Sequence, residues 1–373
     1  MSEFVVSARK YRPQTFDSVV GQSAITTTLK NAIKNDHLAQ AFLFFGSRGV
    51  GKTTTARILA KTLNCFDLKE DIEPCNECES CKSFNEGHSF NILELDAASN
   101  NSVDDIRNLI DQVRIAPQVG KYKIFIIDEV HMLSSSAFNA FLKTLEEPPK
   151  HAIFILATTE KHKILPTILS RCQIFDFHRI QIQDIVDHLK GIAEKEGIDA
   201  DDKALHIIAQ KADGALRDAL SIFDQIVSFS NNNITYESVL QNLNVLDYDY
   251  YFKVTDHALE GNIPDNLLIY DEILSNGFDG SQFILGLAEH LRNLLVCKDP
   301  RTLQILDVPE DLKETYVSQA EKAPQSFLLT ALDLLRALEG QYKASKNKRL
   351  HVEVGLMKFC SIVSTLQKKE AVS

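Results

Sequence analysis

Between residues 41 and 177 the chain repeats one pattern. A short unbroken apolar run is followed by a longer stretch in which apolar residues recur every three or four positions. The runs are AFLFFG (41–46), NILELDA (91–97), KIFIIDE (123–129) and AIFILATT (152–159), with the more alternating RCQIFDF (171–177) as a last strand. Such runs predict strands buried on both faces, the signature of a parallel sheet covered by helices. The stretches between them, KTTTARILAKTLN (52–64), SVDDIRNLIDQV (102–113) and SAFNAFLKTLEE (136–147), carry helical spacing. The last stops at Pro148-Pro149, which cannot continue a helix. Alternating strands and helices predict an α/β domain of the doubly wound type.

After about His178 the strand-like runs stop. IQDIVDHLKGIAEKEG ends at Gly197, DDKALHIIAQKADG ends at Gly214, and ALRDALSIFDQIVSFS runs on to the Asn231–Asn233 cluster. These signals predict a small helical domain over 179–242. Beyond it, Leu267, Leu268, Asp271 and Leu274, then Ile284, Leu287, Leu291, Leu294 and Leu295, then Leu328, Leu332, Leu335 and Leu338 keep helical spacing. The expected division is 1–178, 179–242 and 243–373, in keeping with 373 residues at about 150 per domain.

Composition narrows the function. With 44% hydrophobic and 24% charged residues, the chain is an ordinary globular protein. A formal net charge of -11 argues against non-specific coating of nucleic acid, though not against a local basic surface. The basic run YKASKNKR (342–349) reads as a solvated turn. The N-terminus lacks an export signal, and no run of about 18 apolar residues occurs, so a soluble cytoplasmic chain is expected. In that setting the cluster Cys75, Cys78 and Cys81, within EPCNECESCKSF and among seven cysteines in all, points to metal more than to disulfides.

The sequence from Gly46 through Ser47, Arg48, Gly49, Val50 and Gly51 to Lys52, Thr53 and Thr54 fits G-x-x-x-x-G-K-[ST] between a strand and a helix. Backbone N–H groups of such a loop cradle phosphates, aided by the helix N-terminus. Lys52 would reach the β- and γ-phosphates, and Thr53 would ligate Mg²⁺. KIFIIDEVH delivers Asp128 and Glu129 at a strand's C-terminal end, where ligands of open α/β sheets bind. Asp128 is the expected Mg²⁺ partner and Glu129 the base for an attacking water. Thr158 and Thr159 end the next strand, where a polar side chain could stand between these acids and the γ-phosphate.

Several segments carry a resemblance. They are ARKYRPQTFDSVVGQ (8–22), GSRGVGKTTTAR (46–57), IDEVHMLS (127–134), FNAFLKTLEEPP (138–149), ATTE (157–160), ILSRCQIF (168–175) and GALRDALS (214–221). Together they resemble the DNA polymerase III gamma/tau family, the ATPases of bacterial sliding-clamp loaders within the AAA+ superfamily. The resemblance implies an AAA+ parallel-sheet domain with a zinc module, a helical lid and an all-α collar. It implies an ATP-hydrolysing motor in a hetero-oligomer, expected to be pentameric, that opens a sliding clamp and loads it on primed DNA within the polymerase III holoenzyme. A branch-migration-type ring helicase and a non-catalytic clamp-loader scaffold remain the alternatives.

Residue by residue, the resemblance makes Arg171 an arginine finger for a neighbouring subunit's ATP, Arg217 a lid sensor and Thr159 a first sensor. Ala8, Arg12, Pro13, Val19 and Val20 fall where the family surrounds adenine. Cys65, Cys75, Cys78 and Cys81 fall on its structural zinc module, and four thiolates suit tetrahedral Zn²⁺ with no open position. An iron–sulfur cluster or free thiols are the other possibilities. Cys172, Cys297 and Cys360 read as packing residues. The chain stops at QKKEAVS, about where the family's third domain ends, so the family's tethering tail is expected to be absent or removed.

Overall fold

The computed structural model describes residues 5–117, 120–230, 232–309 and 312–370, excepting the side chains of 368–370. It separates into two compact units, Met1–Asn232 and Asn233–Ser373. Helix Tyr236–Leu243, which straddles the expected 242/243 boundary, groups with the second unit.

The first unit is built on strands β1 (Ala41–Gly46), β2 (Ile92–Asp96), β3 (Lys123–Asp128), β4 (Ala152–Thr158) and β5 (Gln173–Phe177). They form one parallel sheet in the order β2-β3-β4-β1-β5. Every residue of β4 is buried, as its unbroken apolar run demands. Successive side chains point to opposite faces, so Phe42 and Phe44 join one core while Leu43 joins the other. Ile25 and Leu29 of helix Ser23–Lys34, with Ile58 and Leu59 of helix Lys52–Leu63, close the first core. Ile106 and Leu109 of helix Val103–Val113, with Phe138 and Phe141 of helix Ser135–Glu146, close the second. Ser102 caps the former by accepting the Asp105 amide, and Ser134 caps the latter by accepting the Ala137 amide.

Three further helices follow β5 in this unit: Ile182–Glu196, Asp202–Lys211 and Leu216–Ser230. Gly197 ends the first in the left-handed conformation expected of it. The second stops before Gly214, at Ala212, because Asp213 already takes a positive φ of 50°. Asn231, expected to help break the third, lies outside the described residues.

The second unit is helical. Leu287, Leu291 and Leu294 of helix Gly280–Val296 pack with Leu328 and Leu335 of helix Gln325–Tyr342. Helix Ile263–Ser275 buries Asn266, Tyr270 and Ile273 and leaves Leu268 exposed. The basic run is only partly a turn: Lys348 and Arg349 open a helix, and Arg349 pairs with Asp271 and Glu353. No helix among the described residues is long and apolar enough to cross a membrane.

Candidate nucleotide and metal sites

The phosphate-loop motif takes its shape from close backbone approaches. A Cβ on Gly46 would lie 2.4 Å from the Phe177 carbonyl oxygen, so only glycine can end β1 there. Gly49, at φ 78°, would place a Cβ 3.0 Å from that of Ala215, bringing the loop against the start of helix Leu216–Ser230. The Arg217 amide donates to the Gly49 carbonyl at 3.4 Å. Gln22, itself buried, donates to the Val50 and His178 carbonyls and ties the loop to the exit of β5.

Lys52 opens the next helix with its side chain buried, donating to the Gly46 carbonyl at 2.8 Å and the Ser47 carbonyl at 2.7 Å. Burial pushes its pKa down, and Glu129 and Asp128 oppose that shift. Thr53 Oγ1 donates to Asp128 Oδ2 at 2.6 Å, linking β1's loop to the end of β3. Asp128 Oδ1 accepts the Glu129 amide at 2.9 Å. Glu129 itself sits at φ 47°, a left-handed conformation that turns the chain sharply after the strand.

Strand order explains the position of the threonines. Because β4 lies between β3 and β1, its end stands between Asp128 and the phosphate loop. Thr159 donates its hydroxyl and its amide to Glu129 Oε2 at 3.2 and 3.3 Å. Thr158 is fully buried and its hydroxyl lies 3.0 Å from His131 Nδ1. His131, which sequence reasoning passed over, stands between Glu129 Oε2 (3.4 Å) and Glu160 Oε1 (3.3 Å) with its ring enclosed. A histidine after two acids gives no warning of such a role in sequence.

The phosphate loop, Asp128 and Glu129 border one cleft of about 740 Å³, whose lining does not include Thr158, Thr159 or His131. Its floor is Arg48 to Thr54 with Asp128 and Glu129, and its wall holds Ala8, Arg12, Pro13, Val19 and Val20. Arg217 enters from the helical side with Leu216 and Leu220. Gly46 and Ser47 contribute through their carbonyls to Lys52 rather than to the cleft surface. Asp96 also lines the cleft, paired in register with Asp128 across β2 and β3; its position at a strand's C-terminal end was the available signal. Arg9, Arg12, Arg48, Lys52 and Arg217 outnumber Asp96, Asp128 and Glu129 in the lining, leaving the cleft net cationic. Arg12 feels this directly: burial, then Arg57 and Arg217, pull its pKa down, with Glu94 opposing. Such a field calls for an anionic ligand.

Arg171 does not line this cleft. Its guanidinium donates to the Thr167 carbonyl at 2.6 Å and to Glu146 Oε1 at 2.9 Å, both on the surface.

Apart from the cleft, Cys65, Cys75, Cys78 and Cys81 bring their sulfurs within 4.8 Å of one another. Measured pairs are 3.5 Å for Cys65–Cys75, 4.0 Å for Cys65–Cys78 and 4.0 Å for Cys75–Cys81. A tetrahedron with metal–sulfur bonds of about 2.3 Å has edges of about 3.8 Å, so the four thiols fit one ion. The Cys75 amide points at Cys65 Sγ (3.3 Å) and the Cys78 amide at Cys75 Sγ (3.2 Å), an arrangement that stabilises thiolates. Cys172 and Cys297 pack partly buried against the cores, and Cys360 is fully inside.

The chain is 34% identical over 366 residues to DNA polymerase III subunit gamma of Buchnera aphidicola subsp. Acyrthosiphon pisum, covering 96% of this chain and 99% of that one. The chain belongs to the DNA polymerase III gamma/tau family. Within this family it is 43% identical over 352 residues to subunit tau of Bacillus subtilis, which covers 94% of this chain but 62% of that longer protein. The family described as DNA polymerase III, delta subunit matches residues 21–181. That described as DNA polymerase III clamp loader subunit, ATPase lid domain, matches 184–232. DNA polymerase III subunits gamma and tau domain III matches 234–373. A solved Thermotoga maritima RuvB Holliday junction branch migration motor aligns at TM-score 0.47 and 18% identity, over 67% of this chain and 80% of that one. The α/β domain, lid and helical C-terminal region expected of a gamma/tau chain are all present.

Proposed function

We propose that this chain binds and hydrolyses ATP in the cationic cleft, as a motor subunit of the clamp loader that opens a sliding clamp and places it on primed DNA. The observation that carries this reading is the Thr53–Asp128 contact beside buried Lys52 and the turned Glu129, all bordering one cleft with Arg217. Lys52 would exchange its two loop carbonyls for phosphate oxygens. Thr53 and Asp128 would hold Mg²⁺, which neutralises charge on the phosphates. Glu129 would orient and deprotonate water, with Thr159 as the first sensor and Arg217 as the lid sensor. Ala8, Arg12, Pro13, Val19 and Val20 would form the adenine side.

The same proposal divides the chain into a motor domain (1–178), a lid from 179 and a collar reaching the C-terminal end, working in the cytoplasm. Arg171 lies off its own cleft in a surface ion pair of little worth, so it is free to serve a neighbouring subunit. The four cysteines would hold Zn²⁺ in a closed shell that supplies stability and no chemistry. A non-catalytic scaffold would have no use for Lys52, Thr53, Asp128 and Glu129 held in this arrangement.

The test is ATP hydrolysis by the assembled loader, with and without clamp and primed DNA. Wild-type protein should show stimulated turnover, and Lys52→Ala should lose nucleotide binding and clamp loading while keeping its fold. Tight ATP binding by folded Lys52→Ala would sink the assignment of the cleft.

A further inference from the structure

The cysteine module touches the rest of its unit through buried polar groups. Glu73, two residues before Cys75, is only 3% exposed. Its two oxygens accept the Phe16 amide at 2.8 Å and the Asp17 amide at 3.0 Å. Lys30 lies 2.7 Å from Glu73 and 2.6 Å from Asp17, completing a charged triad. Phe16 and Asp17 begin a single helical turn, Phe16–Ser18, whose unpaired amides a carboxylate satisfies well. The next residues, Val19 and Val20, line the nucleotide cleft.

A second bridge meets the other end of the same segment. Lys61, also 3% exposed, donates to Gln14 Oε1 at 2.9 Å and to Asn85 Oδ1 at 3.3 Å. Asn85 ends the module's helix, Glu79–Asn85, and Gln14 follows the cleft residues Arg12 and Pro13. Phe84 of that helix inserts into the core that holds Phe16 and the loop residue Val50, under the Arg57 guanidinium at 4.7 Å. The segment gripped by the module is thus the one whose two flanks form the cleft wall.

The module's backbone is itself strained at Ile72. Ile72 and Asn76, on either side of Glu73 and Cys75, hold φ of 62° and 63°. A β-branched residue avoids that region unless its surroundings impose it. Ligation of Cys65 and Cys75 by one ion is a constraint able to do so, and it fixes Glu73 between them.

We infer that the Cys₄ module is a positioning device for the base-side wall of the nucleotide cleft, and that Glu73 transmits its effect. The inference rests on the proposed binding of ATP in that cleft. With metal bound, Glu73 holds segment 14–17, and Pro13, Val19 and Val20 present a fixed slot. Without it, the strained loop relaxes, Glu73 leaves the two amides, and the wall loosens while the phosphate loop stays intact.

The experiment uses the full chain in three forms: zinc-loaded wild type, metal-stripped wild type and zinc-loaded Glu73→Gln. Each is titrated with Mg-ATP and, separately, with inorganic triphosphate, which has no base to seat. Amide hydrogen exchange of residues 14–20 is followed alongside. Glu73→Gln should retain its zinc, bind inorganic triphosphate as wild type does, and bind ATP about tenfold more weakly, the effect of one lost charge-assisted hydrogen bond. Metal stripping should do the same and raise exchange across 14–20 while β3 stays protected. Unchanged ATP affinity and unchanged exchange would overturn the inference. Equal weakening of ATP and triphosphate would also overturn it, since the damage would then reach the phosphate loop. If zinc-loaded wild type bound no ATP, the nucleotide proposal would fall instead, and exchange across 14–20 would still decide whether the module holds the wall.

Discussion

Thr159 holds Glu129 from two atoms at once, its hydroxyl and its amide both meeting Oε2 at 3.2–3.3 Å. A carboxylate fixed in this way cannot swing freely toward a water, so its angle is set by the end of β4. Glu129→Gln should keep nucleotide binding and lower turnover by about 10²–10⁴, the usual worth of a general base. Thr159→Val should lower kcat less and leave binding almost unchanged. Steady-state ATPase beside nucleotide titration checks both. Should Asp128→Asn show the same profile as Glu129→Gln, the separation of metal holder from base would be wrong.

Arg171 and Lys52 lie on different surfaces of one chain, which makes a mixing experiment decisive. Arginine fingers in phosphate-loop enzymes contribute about 10³–10⁵ in rate. Arg171→Ala should bind ATP normally yet fail to stimulate its neighbour. Complexes containing both Arg171→Ala and Lys52→Ala subunits should recover activity where an intact loop meets an intact Arg171. Absence of recovery, in complexes whose mass shows both variants side by side, would assign Arg171 a role within its own chain.

Metal analysis should return about one zinc and little iron per chain, because sulfurs 3.5–4.0 Å apart enclose one tetrahedral ion and leave no room for a cluster. Cys78→Ser should lower the melting temperature and release the metal. Iron in place of zinc would contradict the choice of metal, and a full complement of zinc in Cys78→Ser would contradict the four-thiolate site.

His290 is buried between Tyr316 and Gln319, with its two ring nitrogens 3.1 and 2.8 Å from them. Burial pushes its pKa down from 6.5 to about 4, and the hydrogen bond to Gln319 only partly opposes this. The unfolded chain therefore binds a proton between pH 6.5 and 4 that the folded chain refuses, and stability falls as the pH drops through that window. At about 1.4 kcal/mol per pH unit, the loss nears about 3 kcal/mol at pH 4. Amide protection of helix Gly280–Val296 across this range should follow that slope in wild type and flatten in His290→Gln. Equal slopes in both would remove His290 as the cause.

The sequence alone determined the strands, the phosphate loop and the paired acids, because each is local. Unbroken apolar runs of strand length bounded by turn residues mark strands, and G-x-x-x-x-G-K-T between a strand and a helix marks a phosphate loop. Edge strand β2 nevertheless leaves Glu94 and Asp96 exposed where burial on both faces was expected. Residues 92–96, 123–128 and 152–158 fall inside the predicted runs for that reason. The family segments likewise named Arg217 and the cleft-wall residues, but not what they touch. Only the tertiary structure decided that β4 lies between β3 and β1, and this order sets Thr159 on Glu129 and Asp96 beside Asp128. Strand order depends on long-range pairing that no local pattern encodes. The same holds for His131 between two carboxylates and for Glu73 under Phe16, contacts spanning 57 residues in the latter case. Buried polar partners are chosen by the completed core, since a charge leaves water only where another part of the chain is already placed to receive it.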